Sequence, residues 1–168
     1  MGLLSAGSRA GAAVFVATGA YLSYIPGKLA RRDGKWTGAG FVGTLEGLVL
    51  LPLLPSSGAW FWLVAALATL AACWICGAAE IALGRHDDPR IVLDEIVGFW
   101  VAAALLPRTW GPLLAAFVLF RALDSVKLPP YRWLESLPGG YGVVMDDIGA
   151  GAFANVGVRI LMHWGLVR

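Results

Sequence analysis

The chain alternates between long apolar stretches and short polar connections rich in proline, glycine or charged residues. Such connections are typical of turns, because proline and glycine disfavour the interior of a helix. The apolar stretches lack the strict alternation of apolar and polar positions that a half-buried strand requires. The pattern therefore predicts six hydrophobic segments, at about residues 10–25, 40–54, 59–83, 91–106, 111–123 and 143–164.

The lengths of these segments bear on whether they cross a lipid bilayer. A straight helix needs about 20 residues to span the hydrocarbon core. Residues 59–83 and 143–164 are long enough, whereas the other segments are shorter and fit half-spans or tilted helices. We therefore predict an all-α fold, a polytopic membrane helical bundle of about four to six hydrophobic helices, several short or re-entrant. Residues 1–168 are expected to form a single membrane-embedded domain.

The composition supports lipid as the surrounding solvent. Hydrophobic residues make up 58% of the chain and charged residues 14%, and the mean hydropathy is +0.72. Soluble domains carry about 25% charged residues. A soluble protein with the composition of this chain would therefore have too few polar groups to cover its surface. The net charge of +2 is small, and no nucleic acid is expected as a partner.

The charges are distributed unevenly along the chain. If all six segments cross, the loops after the first, third and fifth lie on one side of the membrane. The acidic residues all fall in or near those loops, and the opposite face holds only four basic residues, Arg9, Arg108, Arg159 and Arg168. Because loops rich in lysine and arginine stay in the cytoplasm, the charge-dense face is expected to be cytoplasmic.

Five carboxylates lie within or at the ends of apolar segments. A charge inside a bilayer is costly, and grouped carboxylates also repel one another. A bound divalent cation would remove both problems. Oxygen ligands without a cluster of histidine or cysteine favour Mg²⁺ over zinc. The sequence therefore predicts a magnesium site formed by Asp94, Glu95, Asp124, Asp146 and Asp147.

Basic and glycine residues near these acids suit a phosphate ligand. Arg121 lies three residues before Asp124 on the same helical face, and Lys127 lies three residues after it. Such cations can neutralise phosphate oxygens that a metal leaves uncovered. Gly139 and Gly140 would let the backbone approach a phosphate, or would only form a turn. His86 is a candidate general acid, or an interfacial polar residue.

Three blocks of sequence resemble those of the phosphatidylglycerophosphatase A family. The first is HD at residues 86–87 followed by IVLDEIVGFW at 91–100, and the second is FRALD at 120–124 followed by Lys127. The third is GGYGVVMDDIGAG at 139–151. The N-terminal third departs from the family pattern, because residues 28–42 separate two parts of a usually compact stretch that ends here in Gly43 and Thr44.

The resemblance implies a Mg²⁺-dependent lipid phosphatase of the bacterial inner membrane. It would convert phosphatidylglycerophosphate to phosphatidylglycerol, as a multi-pass protein with its active site facing the cytoplasm. Its partners would be the lipid phosphomonoester substrate and membrane lipids. The residues expected to act in catalysis are Asp94, Glu95, Asp124, Asp147 and His86.

One alternative is not an enzyme. Carboxylates within membrane helices also bind cations in ion-coupled transporters, and a membrane scaffold with a cation site would show the same composition. A transporter should hold its acids near the bilayer midplane, whereas here the acids gather toward one interface. The phosphatase interpretation is therefore favoured.

Overall fold

The computed structural model of the protein describes residues 6–30, 38–126, 129 and 133–168. No residue in these ranges belongs to a β-strand, which confirms the predicted all-α class. Two short 3₁₀ helices, Leu51–Leu53 and Trp133–Ser136, accompany the α-helices. The α-helices described are α1 (Ala6–Ala17), α2 (Tyr24–Ala30), α3 (Ala39–Leu50), α4 (Gly58–Leu83), α5 (Leu93–Ala102), α6 (Trp110–Val126) and α7 (Gly140–His163).

The first predicted segment is wrong, whereas the later five correspond to α3–α7. Residues 19–21 interrupt it with left-handed backbone, at φ values of 55°, 51° and 67°. From the sequence, Pro26 and Gly27 also predict the turn that ends this segment, and this is wrong, because both residues lie within α2. Pro26 is the third residue of α2, where the missing N–H would have had no helical partner. The chain therefore turns several residues earlier than its proline suggests.

Among the described helices, α4 alone is both long and apolar enough to cross a membrane. Only 28% of its most apolar 18-residue stretch is buried. Large side chains point outward from it, including Trp74, which is 77% exposed, and Ile81, which is 85% exposed. Because so much exposed apolar surface is unfavourable in water, α4 is compatible with a lipid environment.

Glycines set the packing of α5 against α7. A Cβ added to Gly98 of α5 would lie 2.9 Å from the Cβ of Asp147 in α7. A Cβ added to Gly151 would overlap the carbonyl oxygen of Gly98. The buried Ala150 and Ala154 continue the small face of α7. Small residues let two helix backbones approach closely, which brings the carboxylates of α5 and α7 together.

The α3 helix packs against α5 in a similar way. A Cβ on Gly43 would lie 2.7 Å from the Cβ of Val92, just before α5 begins. Further along, Trp100 Nε1 donates a hydrogen bond of 3.0 Å to the carbonyl of Gly47. This contact satisfies the indole N–H, which would otherwise be costly to bury.

α5 ends after ten residues, and α7 caps its C-terminal end. Asn155 Nδ2 donates hydrogen bonds of 2.9 Å to the carbonyls of Ala102 and Ala104. Arg159 donates 2.8 Å from Nε to Asn155 Oδ1 and 3.0 Å from Nη2 to Ala104. The last carbonyls of a helix lack partners within that helix, so these side chains allow α5 to stop inside the bundle.

Consecutive helices from α3 to α7 run in alternating directions. The starts of α3, α5 and α7 therefore meet the ends of α4 and α6; Gly40 in α3, for example, packs against Arg121 in α6. At the opposite end, Arg108 Nη2 donates a hydrogen bond of 2.8 Å to the carbonyl of Leu54. We call the first end the acidic end; it carries Asp94, Glu95, Asp124, Asp146 and Asp147.

We expect the substitution Asn155→Ala to destabilise the protein by about 2 kcal/mol, because the carbonyls of Ala102 and Ala104 would lose a hydrogen-bond donor. Thermal unfolding in detergent measures the change. Thr69→Val is the control: the Thr69 hydroxyl bonds to the carbonyl of Ala65 within its own helix, so its loss should cost under about 0.5 kcal/mol. Equal unfolding temperatures for Asn155→Ala and wild type would contradict the capping role.

Candidate functional site

Three carboxylates converge at the acidic end. Asp94 and Glu95 stand in the first turn of α5, and Asp147 stands in α7. One oxygen from each lies within 4.8 Å of the other two. The close contact at Gly98 makes this possible, because it leaves no side chain between the two helices.

This cluster is buried and poorly compensated by the protein. Asp94 is 8% exposed and Asp147 is 4% exposed. Among the described residues, Glu95 Oε2 is buried and has no hydrogen-bond partner. Like charges in a medium of low polarity repel strongly, and an unpaired buried oxygen carries a desolvation cost. The set of oxygen donors fits a hard divalent cation. Such a cation would reduce the repulsion among the carboxylates and would provide a partner for the unpaired oxygen.

One arginine stands beside the cluster. Arg121 Nη1 lies 2.9 Å from Asp124 Oδ2, one turn further along α6, and 4.0 Å from Glu95 Oε1. The same nitrogen donates a hydrogen bond of 3.4 Å to the hydroxyl of Thr44 in α3. Gly40, one turn before Thr44, leaves room for the guanidinium, since a Cβ there would lie 2.8 Å from Arg121 Nη2. Three helices thus hold one guanidinium next to the carboxylates.

A cavity of about 760 Å³ opens onto the cluster and onto Arg121. This volume is within the range of small-molecule sites. The first turn of α3 and the loop before α5 form part of its wall. Among the described residues, the charged ones that line it are Asp87, Asp88, Asp94, Glu95, Arg121, Asp124, Glu135, Asp146 and Asp147.

The loop before α5 is held by a second arginine. Asp88 accepts hydrogen bonds of 2.7 Å from Arg90 Nε and 2.6 Å from Arg90 Nη2. Burial would raise the pKa of Asp88, but these bonds and the charge of Arg90 outweigh it and hold the pKa below its usual value. The Arg90 guanidinium also lies 5.7 Å from the ring centre of Tyr24. The backbone carbonyl of Arg90 accepts a hydrogen bond from the hydroxyl of Ser23. This loop is therefore tied to the segment between α1 and α2.

The structure brings together most of the predicted site residues. Asp94, Glu95, Asp124, Asp146 and Asp147 all line the cavity, although only three of the five form the tight cluster. Asp146 adjoins it and accepts a hydrogen bond of 3.1 Å from the backbone N–H of Asp147.

The other predicted residues lie elsewhere. His86 is not among the residues that line the cavity, but it directly precedes Asp87, which is. Neither Gly139 nor Gly140 lines the cavity, and Gly140 packs against the carbonyl of Cys73 in α4, so phosphate binding by these glycines stays a prediction. Lys127 lies outside the described residues.

The sequence reasoning missed the contribution of α3. Thr44 is fully buried and contacts Arg121 across 77 positions of the chain. The available signal was the family stretch that ends in Gly43 and Thr44. The sequence also did not indicate that Glu135, from the 3₁₀ helix before α7, would line the cavity.

Comparison with known proteins shows the family to which this chain belongs. The family model for phosphatidylglycerophosphatase A matches residues 15–162. A phosphatidylglycerophosphatase A of Haemophilus influenzae is 37% identical over 135 residues, covering 79% of this chain and 80% of that protein. The phosphatidylglycerophosphatase A of Escherichia coli K12 is 35% identical over 131 residues, covering 74% of this chain and 76% of that protein.

A third relative has a different printed name. It is a putative phosphatidylinositol-3-phosphatase of Bacteroides thetaiotaomicron, 35% identical over 130 residues, covering 74% of this chain and 80% of that protein. No solved structure matches the chain. The family match extends over most of the sequence and includes all five carboxylates of the acidic end. The chain therefore belongs to the phosphatidylglycerophosphatase A family and is a phosphatase, a phosphoric monoester hydrolase.

Proposed function

We propose that this enzyme is a Mg²⁺-dependent, multi-pass membrane phosphatase that hydrolyses phosphatidylglycerophosphate to phosphatidylglycerol and phosphate. The observation that carries the proposal is the cluster of Asp94, Glu95 and Asp147 in one cavity with Arg121. Carboxylates alone would repel a phosphate dianion, whereas carboxylates with a cation and an arginine would attract it. An ion-coupled transporter or scaffold is no longer favoured, since the family is one of phosphatases.

The donor set supports a magnesium ion. Asp94, Glu95 and Asp147 would hold it, with Asp124 and Asp146 close by. The unpartnered Glu95 Oε2 is the kind of atom that a metal would satisfy. When bound, a divalent cation neutralises phosphate oxygens and lowers the pKa of a bound water.

The chain's own residues would orient the phosphate. Arg121 offers planar, paired donors that match phosphate oxygens, and Asp124 with Thr44 holds the guanidinium in place. Lys127 follows Asp124 in sequence and is proposed to add a second cation. His86 is proposed to supply a proton to the departing alcohol oxygen.

The membrane setting is supported by α4 and by the charges. The outward apolar face of α4 suits lipid, and the acidic end would lie near the membrane surface, where the phosphate of a lipid substrate is found. Because most basic residues are on that side, we propose that the site faces the cytoplasm at the inner membrane. The proposed substrate class is a lipid phosphomonoester; the product places the enzyme in phosphatidylglycerol biosynthesis.

Removing the metal should abolish phosphate release. Purified protein treated with EDTA should lose activity on phosphatidylglycerophosphate, and added Mg²⁺ should restore it, because the carboxylates without a cation repel the substrate. Thermal unfolding of the EDTA-treated protein checks that it is still folded. Phosphate release from a phosphorylated phosphatidylinositol, measured in parallel, compares a second lipid phosphomonoester with phosphatidylglycerophosphate. Full activity in EDTA would disprove the metal assignment.

Asp94→Asn and Asp147→Asn should each lower kcat/KM by at least ~100-fold, equivalent to about 2.7 kcal/mol. Each change keeps the shape of the side chain and removes one negative charge, which weakens the hold on a cation. The loss should come without loss of stability, since repulsion within the cluster is relieved.

The matched control is Glu46→Gln. Glu46 is another partly buried acid in an apolar helix, α3, but it does not line the cavity. We expect its activity to stay within about threefold of wild type. Asn variants that are well folded and turn over as fast as Glu46→Gln would show that the cluster has no part in catalysis.

The proposed topology predicts which loops reagents can reach. Ser136 is exposed at the acidic end, and Ser57 is exposed in the connection before α4 at the other end. In intact cells, a thiol reagent that cannot cross the membrane should label Ser57→Cys and spare Ser136→Cys, which should react only after the membrane is opened. The native Cys73 and Cys76 are buried and give a low background. Labelling of both variants in intact cells would contradict the topology.

A further inference from the structure

A buried carboxylate outside the cavity holds the loop before α5. Glu80 stands in the last turn of α4, and its side chain is only 8% exposed. Its Oε1 accepts a hydrogen bond of 2.7 Å from the backbone N–H of Asp87. The same oxygen lies 2.7 Å from Nδ1 of His86. A buried carboxylate is costly unless it has hydrogen-bond donors. For Glu80 these donors come from His86 and Asp87.

The contact determines the orientation of the His86 ring. An ionised carboxylate can only accept hydrogen bonds, so the proton of that contact resides on Nδ1. Nε2 is then the nitrogen left for another partner, and it carries a proton of its own when the ring is in the imidazolium form, the form from which the proposed step starts. The side chain of His86 is 61% exposed, which leaves this nitrogen accessible.

The contact also determines where the ring stands. Asp87, the next residue, has left-handed backbone with φ of 49°, a conformation that costs energy for a residue other than glycine. Its N–H bond to Glu80 stabilises that conformation. His86 itself does not line the cavity, but Asp87 and Asp88, the next two residues, do. Glu80 therefore determines which nitrogen of His86 faces α4, and it anchors the loop that carries the ring.

We propose that Glu80 is a positioning residue, which holds His86 so that Nε2 delivers a proton to the alcohol oxygen leaving the phosphate. This inference rests on the proposed phosphatase function. A water oxygen forms a bond to phosphorus and the bond from phosphorus to the alcohol oxygen breaks. The electron pair of that bond stays on the alcohol oxygen, which takes the proton from Nε2. The attacking water loses a proton to the medium, and the medium protonates His86 again.

The test uses Glu80→Gln, His86→Gln and the double variant, with Glu46→Gln as control. Glu80→Gln keeps an oxygen for the Asp87 N–H but loses the charge that faces His86. On phosphatidylglycerophosphate, we expect kcat to fall by ~100-fold for His86→Gln and by ~10-fold for Glu80→Gln, with KM within about threefold. The double variant should be no slower than His86→Gln, because Glu80 acts only through the imidazole.

A lipid-like aryl phosphate separates proton delivery from a structural role. A phenolate leaves without needing a proton, so the kcat losses of His86→Gln and Glu80→Gln should shrink to under about threefold on this substrate. Equal losses on both substrates, or losses that multiply in the double variant, would overturn the proposal. So would unchanged kcat in His86→Gln, an exposed substitution that should not affect folding. Failure of wild type to release phosphate from any lipid phosphomonoester would instead overturn the proposed function.

Discussion

The close approach of α5 and α7 forces three carboxylates into one small volume. Gly98 and Gly151 allow the two backbones to touch, so Asp94 and Glu95 meet Asp147 without intervening side chains. Like charges at this separation oppose folding in a buried site, and among the described residues the cation within 4.0 Å of Glu95 is Arg121. Packing elsewhere in the bundle must offset this cost, and a bound cation would lower it. Such a site can collect both a cation and the phosphate that accompanies it.

Several polar contacts at the acidic end orient cations or loops around that cluster. Asp124, one turn further along the same helix, and Thr44 of α3 hold the guanidinium of Arg121. In the loop before α5, Asp88 holds Arg90 and Glu80 holds His86. Asp124 and Asp88 each contact an arginine, and Glu80 contacts His86, so these carboxylates have nitrogen partners that the buried cluster largely lacks among the described residues.

The outer surface of the bundle and its cavity suit a substrate that has both a lipid part and a phosphate part. The outward side chains of α4 are apolar along a length that suits a bilayer, whereas the cavity is lined by charged groups at one end of the helices. A phospholipid carries its phosphates at the membrane surface, so its polar group would meet such a cavity while its chains remain in lipid.

At the other end, Asn155 and Arg159 satisfy the carbonyls that a helix as short as α5 leaves free.

The helical class, the segments α3–α7 and the gathering of acids on one side could be predicted from the sequence alone. These features depend on local periodicity and on the cost of charge within apolar stretches, which each segment carries by itself. Only the tertiary structure decided which three of five acids cluster, that Thr44 supports Arg121, and that Gly140 packs on α4. The break in the helix at residues 19–21 could also not be predicted from the sequence, because no proline lies there. Contacts between residues far apart in the chain depend on how helices cross, and crossing is decided by the packing of all of them together.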